Sequence, residues 1–252
     1  MALKRLLITK KKHSGRDFQG HISVRHQGGE HKRFLRTIDW HRSQKDIKAK
    51  VASIEYDPNR TAFIALLVYQ NGSKSYVLAS SNLKIGDIVV SSDSAPIKDG
   101  NCLCLKNIPV GTPIHCLEFQ PGSGAQLVKS AGSSAYVQSI EGNQAIVKLP
   151  SGQLRLFNAD CHATIGQLSN PDHANIKLKK AGDSRHRGIR PTVRGVAQHP
   201  DSHPHGGGEG RSSIGMNPKT PWGRKAMGKI TRKRKKASNK LIIKNQSHVA
   251  QL

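Results

Sequence analysis

The chain has 252 residues and a mass of 27.5 kDa; 35% of them are hydrophobic and 4% aromatic, and 41 Lys/Arg face 16 Asp/Glu for a formal charge of +25. That material supplies a modest core suited to small β barrels, argues against single-strand binding by rows of stacking aromatics, and calls for a polyanionic partner, of which nucleic acid is the commonest. No apolar run approaches the ~20 residues that span a bilayer, and four cysteines without CxxC spacing argue against a disulfide framework and read as reduced, buried small hydrophobes.

Charge divides the chain in order. Residues 1–50 carry 14 Lys/Arg against 4 Asp/Glu, residues 51–184 carry 11 against 10, and residues 185–252 carry 16 against 2. The start, MALKRLLITKKKHSGR, is basic and short of acids, as a mitochondrial presequence is, but it has no long amphipathic stretch and runs straight into the body. Up to residue 33 the chain reads as a basic arm in which GRDFQGHISVRHQGGEHKR mixes Gly with cations. Over 34–106, KVASIEY, AFIALLVY, YVLA and KIGDIVVS are short runs of Val, Ile and Tyr separated by DPNR and QNGSKS, the pattern of a small antiparallel barrel. Over 107–184 a second series follows, with EGN and PSG as hairpin turns in AYVQSIEGNQAIVKLPSGQLRLF. Alternation there predicts Ile140, Ala145, Val147 and Leu149 on the buried face and Gln144 and Lys148 turned away. From 185 to 252, Pro, Gly, His, Lys and Arg dominate, and the segment cannot bury enough apolar surface to offset its ordering entropy alone. It is expected to be extended until it lies along a partner.

Three stretches of the tail carry chemistry. RHRGIRPTVRG places Arg185, Arg187, Arg190 and Arg194 among Gly188, Pro191 and Gly195, residues that oppose a helix and splay guanidinium groups toward successive phosphates. HPHGGGEGR sets Gly206, Gly207 and Gly208 between His203, His205 and Arg211; three missing Cβ atoms permit unusual φ angles and close backbone approach to another surface. A zinc site on His199, His203, His205 and Glu209 has acceptable ligand types but no helix or hairpin to set tetrahedral geometry, so no metal site is assigned. KITRKRKK, with Lys229, Arg232, Lys233, Arg234, Lys235 and Lys236, reads as a sequence-independent phosphate clamp. GGEHKR and KSAGSSAYV repeat the pattern of small residues beside Lys32, Arg33 and Lys129.

EYDPNR, NIPVGTPIH, GIRPTVRGVA, HPHGGGEGR and TPWGRKAMGKITRKRKK occur in that order, and together they resemble the bacterial-type ribosomal protein L2 family of the large subunit over nearly the whole chain, from Gly15 to Ile243. The resemblance implies an all-β protein, an OB-fold barrel followed by an SH3-like barrel with extended basic N- and C-terminal arms. It implies a non-enzymatic structural constituent that binds large-subunit ribosomal RNA, touches neighbouring ribosomal proteins, reaches the small subunit across an intersubunit bridge, and supports assembly and the peptidyl transferase centre, where RNA performs the chemistry. No cofactor is implied beyond structural Mg2+ shared with RNA. By position in the motif His203 matches a histidine that supports that centre, as a hydrogen-bonding orienter rather than a general base. The RNA contacts so implied are Arg25, Lys32, Arg33, Arg36, Lys129, the four arginines of 185–194, His205, Gly206 to Gly208, Arg211, Trp222, Arg224, and Lys229 with Arg232 to Lys236. The sequence departs from the family at several points: 15 residues precede Arg16, where a longer extension is usual; His186 stands for a usual tryptophan; Glu30 interrupts GGGHK; and KNQSHVAQL replaces a basic end. These departures resemble organellar versions, and the mitochondrion is the expected compartment, ahead of the plastid and the bacterial cytoplasm. The competing expectations are a zinc hydrolase on the four residues named above and an OB-fold RNA chaperone that binds many RNAs.

Overall fold

A computed structural model describes residues 3–243; the neutral end from Lys244 onward lies outside the described residues. Fifteen strands and one short α-helix are present among the described residues, so the chain is all-β: an OB-fold barrel followed by an SH3-like barrel. In chain order the strands are β1 (Leu7–Thr9), β2 (Phe34–Arg36), β3 (Ala49–Glu55), β4 (Ile64–Tyr69), β5 (Lys74–Leu78), β6 (Ile88–Val89), β7 (Cys102–Cys104), β8 (Pro113–His115), β9 (Leu117–Glu118), β10 (Ala125–Leu127), β11 (Ala135–Glu141), β12 (Gln144–Lys148), β13 (Leu154–Asn158), β14 (His162–Ile165) and β15 (Ile242–Ile243); the helix α1 is Ala181–His186.

The first barrel is built on the antiparallel sheet β5-β4-β3-β6. IALLVY is apolar without alternation because β4 is buried on both faces. Ala65, Leu67 and Tyr69 join Val51, Val77 and Val89 on one side, while Ile64 and Leu66 join Ile38, Tyr76, Leu78 and Leu168 on the other. The turn that precedes β1 adds Leu3 and Leu6 to that second side, and β1 itself pairs with β2. Tyr76 is fully buried there with its hydroxyl satisfied, since it donates to Glu55 Oε2 (3.0 Å) and accepts from the Leu3 N–H (3.1 Å); burial pushes its phenol pKa up. Asn71-Gly72 turns the chain from β4 to β5 with Gly72 at φ +78, the conformation that makes glycine the natural residue in such a turn.

The second barrel uses the seven-stranded sheet β15-β13-β12-β11-β8-β14-β7. Its core is Leu103, Leu105, Ile108, Ile114, Leu117, Val137, Val147, Phe157 and Ile165 with small residues between them. The alternation read from the sequence is observed: Ala145 and Val147 are buried, Ile140 and Leu149 pack against the cluster, and Gln144 and Lys148 are exposed. EGN closes β11 onto β12 in the register Glu141↔Gln144, and PSG returns the chain at the Leu149 N–H to Gln153 carbonyl bond. β7 pairs in this sheet while the Cys102 N–H donates back to the Val90 carbonyl, and Ser80 bridges Leu168, so backbone hydrogen bonds join the two barrels at their seam.

The tail departs from the expected structureless arm at two places. Residues 241–243 return to the second barrel, where β15 pairs with β13 in the register Leu154↔Ile243. Arg185 and His186, read as helix-opposed, form the last turn of α1, because the opposition begins only at Gly188, whose φ is +91. All four cysteines are free thiols; Cys102, Cys104 and Cys161 are buried and Cys116 is half-buried. Among the described residues no helix is long and apolar enough to cross a membrane.

Candidate nucleic-acid interface

The chain divides into two compact units: 1–10 with 32–177 and 238–252, and 11–31 with 178–237. The second unit holds 20 Lys/Arg against 5 Asp/Glu in 81 residues, so it carries most of the molecule's charge excess. Its backbone is nearly all turns. The Gly28 N–H donates to the Gly188 carbonyl and the His31 N–H to the His186 carbonyl, which stitches the N-terminal arm onto the end of α1 and the turn after it. Lys12 donates to the Glu30 carbonyl, so the residue that breaks the glycine run is tied in through its backbone.

The glycine loop is held from behind by its histidines. His203 is only 8% exposed. Its ring fills the space a side chain at Gly195 would take: a Cβ there would come within 2.5 Å of Cε1. His203 Nδ1 accepts the His205 N–H (3.1 Å), His205 Nε2 accepts the Lys219 N–H (2.8 Å), and the two rings tilt against each other at 4.8 Å. Each of those nitrogens therefore carries a lone pair, which places the proton of the neutral ring on His203 Nε2 and on His205 Nδ1. Gly206 packs on the chain behind it, where a Cβ would meet the carbonyl oxygens of Gln198 and His199 at 2.5 Å each. Gly207 and Gly208 take φ +91 and +87 and face outward, exposed, as does Arg211. His199 pairs with Asp201 (3.2 Å) and Glu209 is exposed, and among the described residues the ligand atoms of these two, His203 and His205 do not converge as a group.

The remaining candidates fall into two groups. Arg187, Arg190, Arg194, Arg224, Lys229 and Arg232 to Lys236 are exposed along the second unit, and Arg185 is half-buried with Nη1 unpartnered. Trp222 is 76% exposed, and Arg25 lies over its ring at 5.5 Å, a pair that presents an aromatic face and a guanidinium plane together. The barrel residues are more committed to their own fold. Arg36 sits 3.8 Å from buried Asp57, whose other oxygen takes Arg60 Nε at 2.5 Å, and Arg33 donates to the Pro58 carbonyl (2.9 Å). Lys129, although exposed, lies over Trp40 at 4.6 Å with Arg60 over the same ring at 5.4 Å, and Lys32 is exposed. Asp57 and Arg60 pair within the EYDPNR motif, but Trp40 carries no sequence signal because its partner Lys129 lies 89 positions away and leaves no local pattern.

A chain that joins strand barrels to a cation-rich unit of irregular, glycine-hinged backbone has the make-up of an RNA-binding class of protein. Residues 3–91 match the family model Ribosomal Proteins L2, RNA binding N-terminal domain, and residues 98–223 match Ribosomal Proteins L2, C-terminal domain. The chain belongs to the ribosomal protein L2 family. It is a structural, ribosomal RNA-binding constituent of the large subunit rather than an enzyme, with ribosomal RNA and ribosomal proteins as its partners.

Proposed function

We propose that this chain supports large-subunit assembly and association with the small subunit, and that the 203–211 loop packs against RNA beside the peptidyl transferase centre, where RNA carries the chemistry. The observation that carries this reading is the His203 bracket. A buried imidazole, wedged against Gly195 and bonded to the His205 backbone, braces a three-glycine turn that folds tightly on its own chain at Gln198, His199, Pro200 and Ser212 and leaves the Gly207–Gly208 backbone exposed for RNA to approach. His203 acts by orienting that turn; its Nδ1 is already occupied by a backbone N–H, which leaves no lone pair for a general base. The departures at Glu30 and His186 support a mitochondrial ribosome as the setting.

Reconstitution of large subunits with His203→Ala tests the loop. The variant is expected to keep the thermal midpoint of the barrels while its incorporation or the puromycin reaction of the resulting subunits falls at least severalfold. Normal incorporation together with normal peptidyl transfer would overturn the role given to His203. Fractionation of the source cells tests the compartment, since recovery of the chain with cytosolic ribosomes would exclude the mitochondrial setting.

A further inference from the structure

Outside the cationic surface, one cluster of metal-ligand side chains remains without a role. Cys104 ends β7 and His162 begins β14, and the two are direct cross-strand partners, so both side chains leave the sheet on the same face. Cys104 Sγ lies 3.5 Å from His162 Nε2, and Asp93 Oδ1 lies 2.7 Å from the sulfur and 3.6 Å from Nε2. Among the described residues this is the group of three such side chains whose ligand atoms converge.

We propose that Asp93, Cys104 and His162 form a zinc site on the second barrel, with a water as the fourth ligand. One thiolate, one imidazole and one carboxylate are a zinc-type donor set, and bonds of about 2.0–2.3 Å in a tetrahedron put ligand atoms roughly 3.3–3.7 Å apart. The Cys104 to His162 and His162 to Asp93 separations already have those values. The Cys104 to Asp93 separation has to open by about 0.8 Å on the same bond lengths, which rotation of the Asp93 side chain, 61% exposed, supplies. The metal displaces the thiol proton that now bonds Asp93, and that proton leaves to solvent. Asp93 and His162 also line an open pocket together with Lys45, Asp46, Ser92 and Ser94, which gives water access to the cluster.

The support behind His162 is of the kind metal sites need. His162 Nδ1–H donates to Glu118 Oε2 (3.3 Å), and the His162 backbone N–H donates to the same oxygen (3.0 Å). Glu118 is buried and fixed further by the N–H groups of Gly122 (3.2 Å) and Gly124 (3.1 Å). A carboxylate on Nδ1 locks the tautomer that turns the Nε2 lone pair toward Cys104 and Asp93.

Titration of the purified full chain with Co2+, read by its thiolate-to-cobalt charge-transfer band, tests the site. Co2+ reports the sulfur ligand directly, and so separates this site from histidines elsewhere in the chain, which bind without sulfur. The wild type is expected to show the band at one equivalent and to lose it on addition of Zn2+. Cys104→Ser abolishes the band, Cys116→Ser keeps it, and Glu118→Gln keeps it at an affinity about 10–100-fold weaker. No band in the wild type at excess Co2+, an undiminished band in Cys104→Ser, or a band lost in Cys116→Ser overturns the proposal and leaves a hydrogen-bonded thiol only. Should Cys104→Ser unfold, Asp93→Asn at the exposed corner decides: affinity falls at least tenfold if the carboxylate is a ligand, and unchanged affinity overturns the site.

Discussion

His115 shows how a single buried group makes the stability of the second barrel depend on pH. It is fully buried, its Nδ1–H donates to the Gly166 carbonyl (2.7 Å), and Nε2 has no partner. Burial first of all depresses its pKa to about 4 from an ordinary 6.5. A histidine depressed on folding costs nothing above pH 6.5, where both states are neutral. Below that the unfolded chain takes up a proton the folded one refuses, so stability falls from pH 6.5 down to about 4, by about 3 kcal/mol in all. Unfolding free energies from urea melts at pH 7 and pH 4.5 should differ by much of that amount, and His115→Gln should remove its share; a difference unchanged in that variant would show that His115 is not the group responsible. His203 is the opposite kind of residue, a buried imidazole with Nδ1 satisfied from within its own loop. Its importance was readable from HPHGGGEGR, but its burial was not, because the glycine it packs on lies eight positions upstream.

Among the elements, β4 and β15 mark the limits of what a sequence pattern conveys. The turns QNG, EGN and PSG are local chemistry, and each appears where the Gly and Asn placed it. β4 offered an apolar run with no alternation, and burial on both faces is the physical meaning of that run. Leu66→Ala and Leu67→Ala should therefore each cost about 2–5 kcal/mol in chemical denaturation; a strand with one wet face would tolerate one of the two. β15 is two residues long and follows a run of lysines and arginines, so nothing local announces it. Ile243 lies beside Val110, Ile146 and Leu154. Ile243→Asp puts a carboxylate there and should lower the thermal midpoint by a few degrees, corresponding to about 1–2 kcal/mol; an unchanged midpoint would mean β15 contributes nothing to the barrel.

Across the whole molecule, the barrels occupy one unit and most of the charge excess the other. That separation predicts independent readouts. Replacing Lys229, Arg232, Lys233, Arg234, Lys235 and Lys236 with Gln should flatten the salt dependence of ribosomal RNA binding, by roughly 0.7–0.9 in the logarithmic slope for each phosphate no longer neutralised. The barrels' unfolding should not move. A salt slope equal to the wild type's would remove the clamp role from that run. The asymmetry of charge was plain in the sequence as two basic ends around a nearly neutral middle. Which cations belong to the barrels was not, since Arg33, Arg36 and Lys129 are drawn to Pro58, Asp57 and Trp40 by interactions that exist only after folding.

The cationic unit is also split in time. Its first part, residues 11–31, leaves the translating ribosome well ahead of residues 178–237, with about 150 residues synthesised between them, some 7–30 s at ~5–20 residues per second. Throughout that interval Gly28 and His31 have no Gly188 or His186 to bond, while the barrel strands between them are already emerging in order. A newborn chain thus presents a bare basic segment to a cell full of RNA before the segment's intramolecular partner exists, and the order of synthesis rather than affinity alone decides which polyanion meets it first.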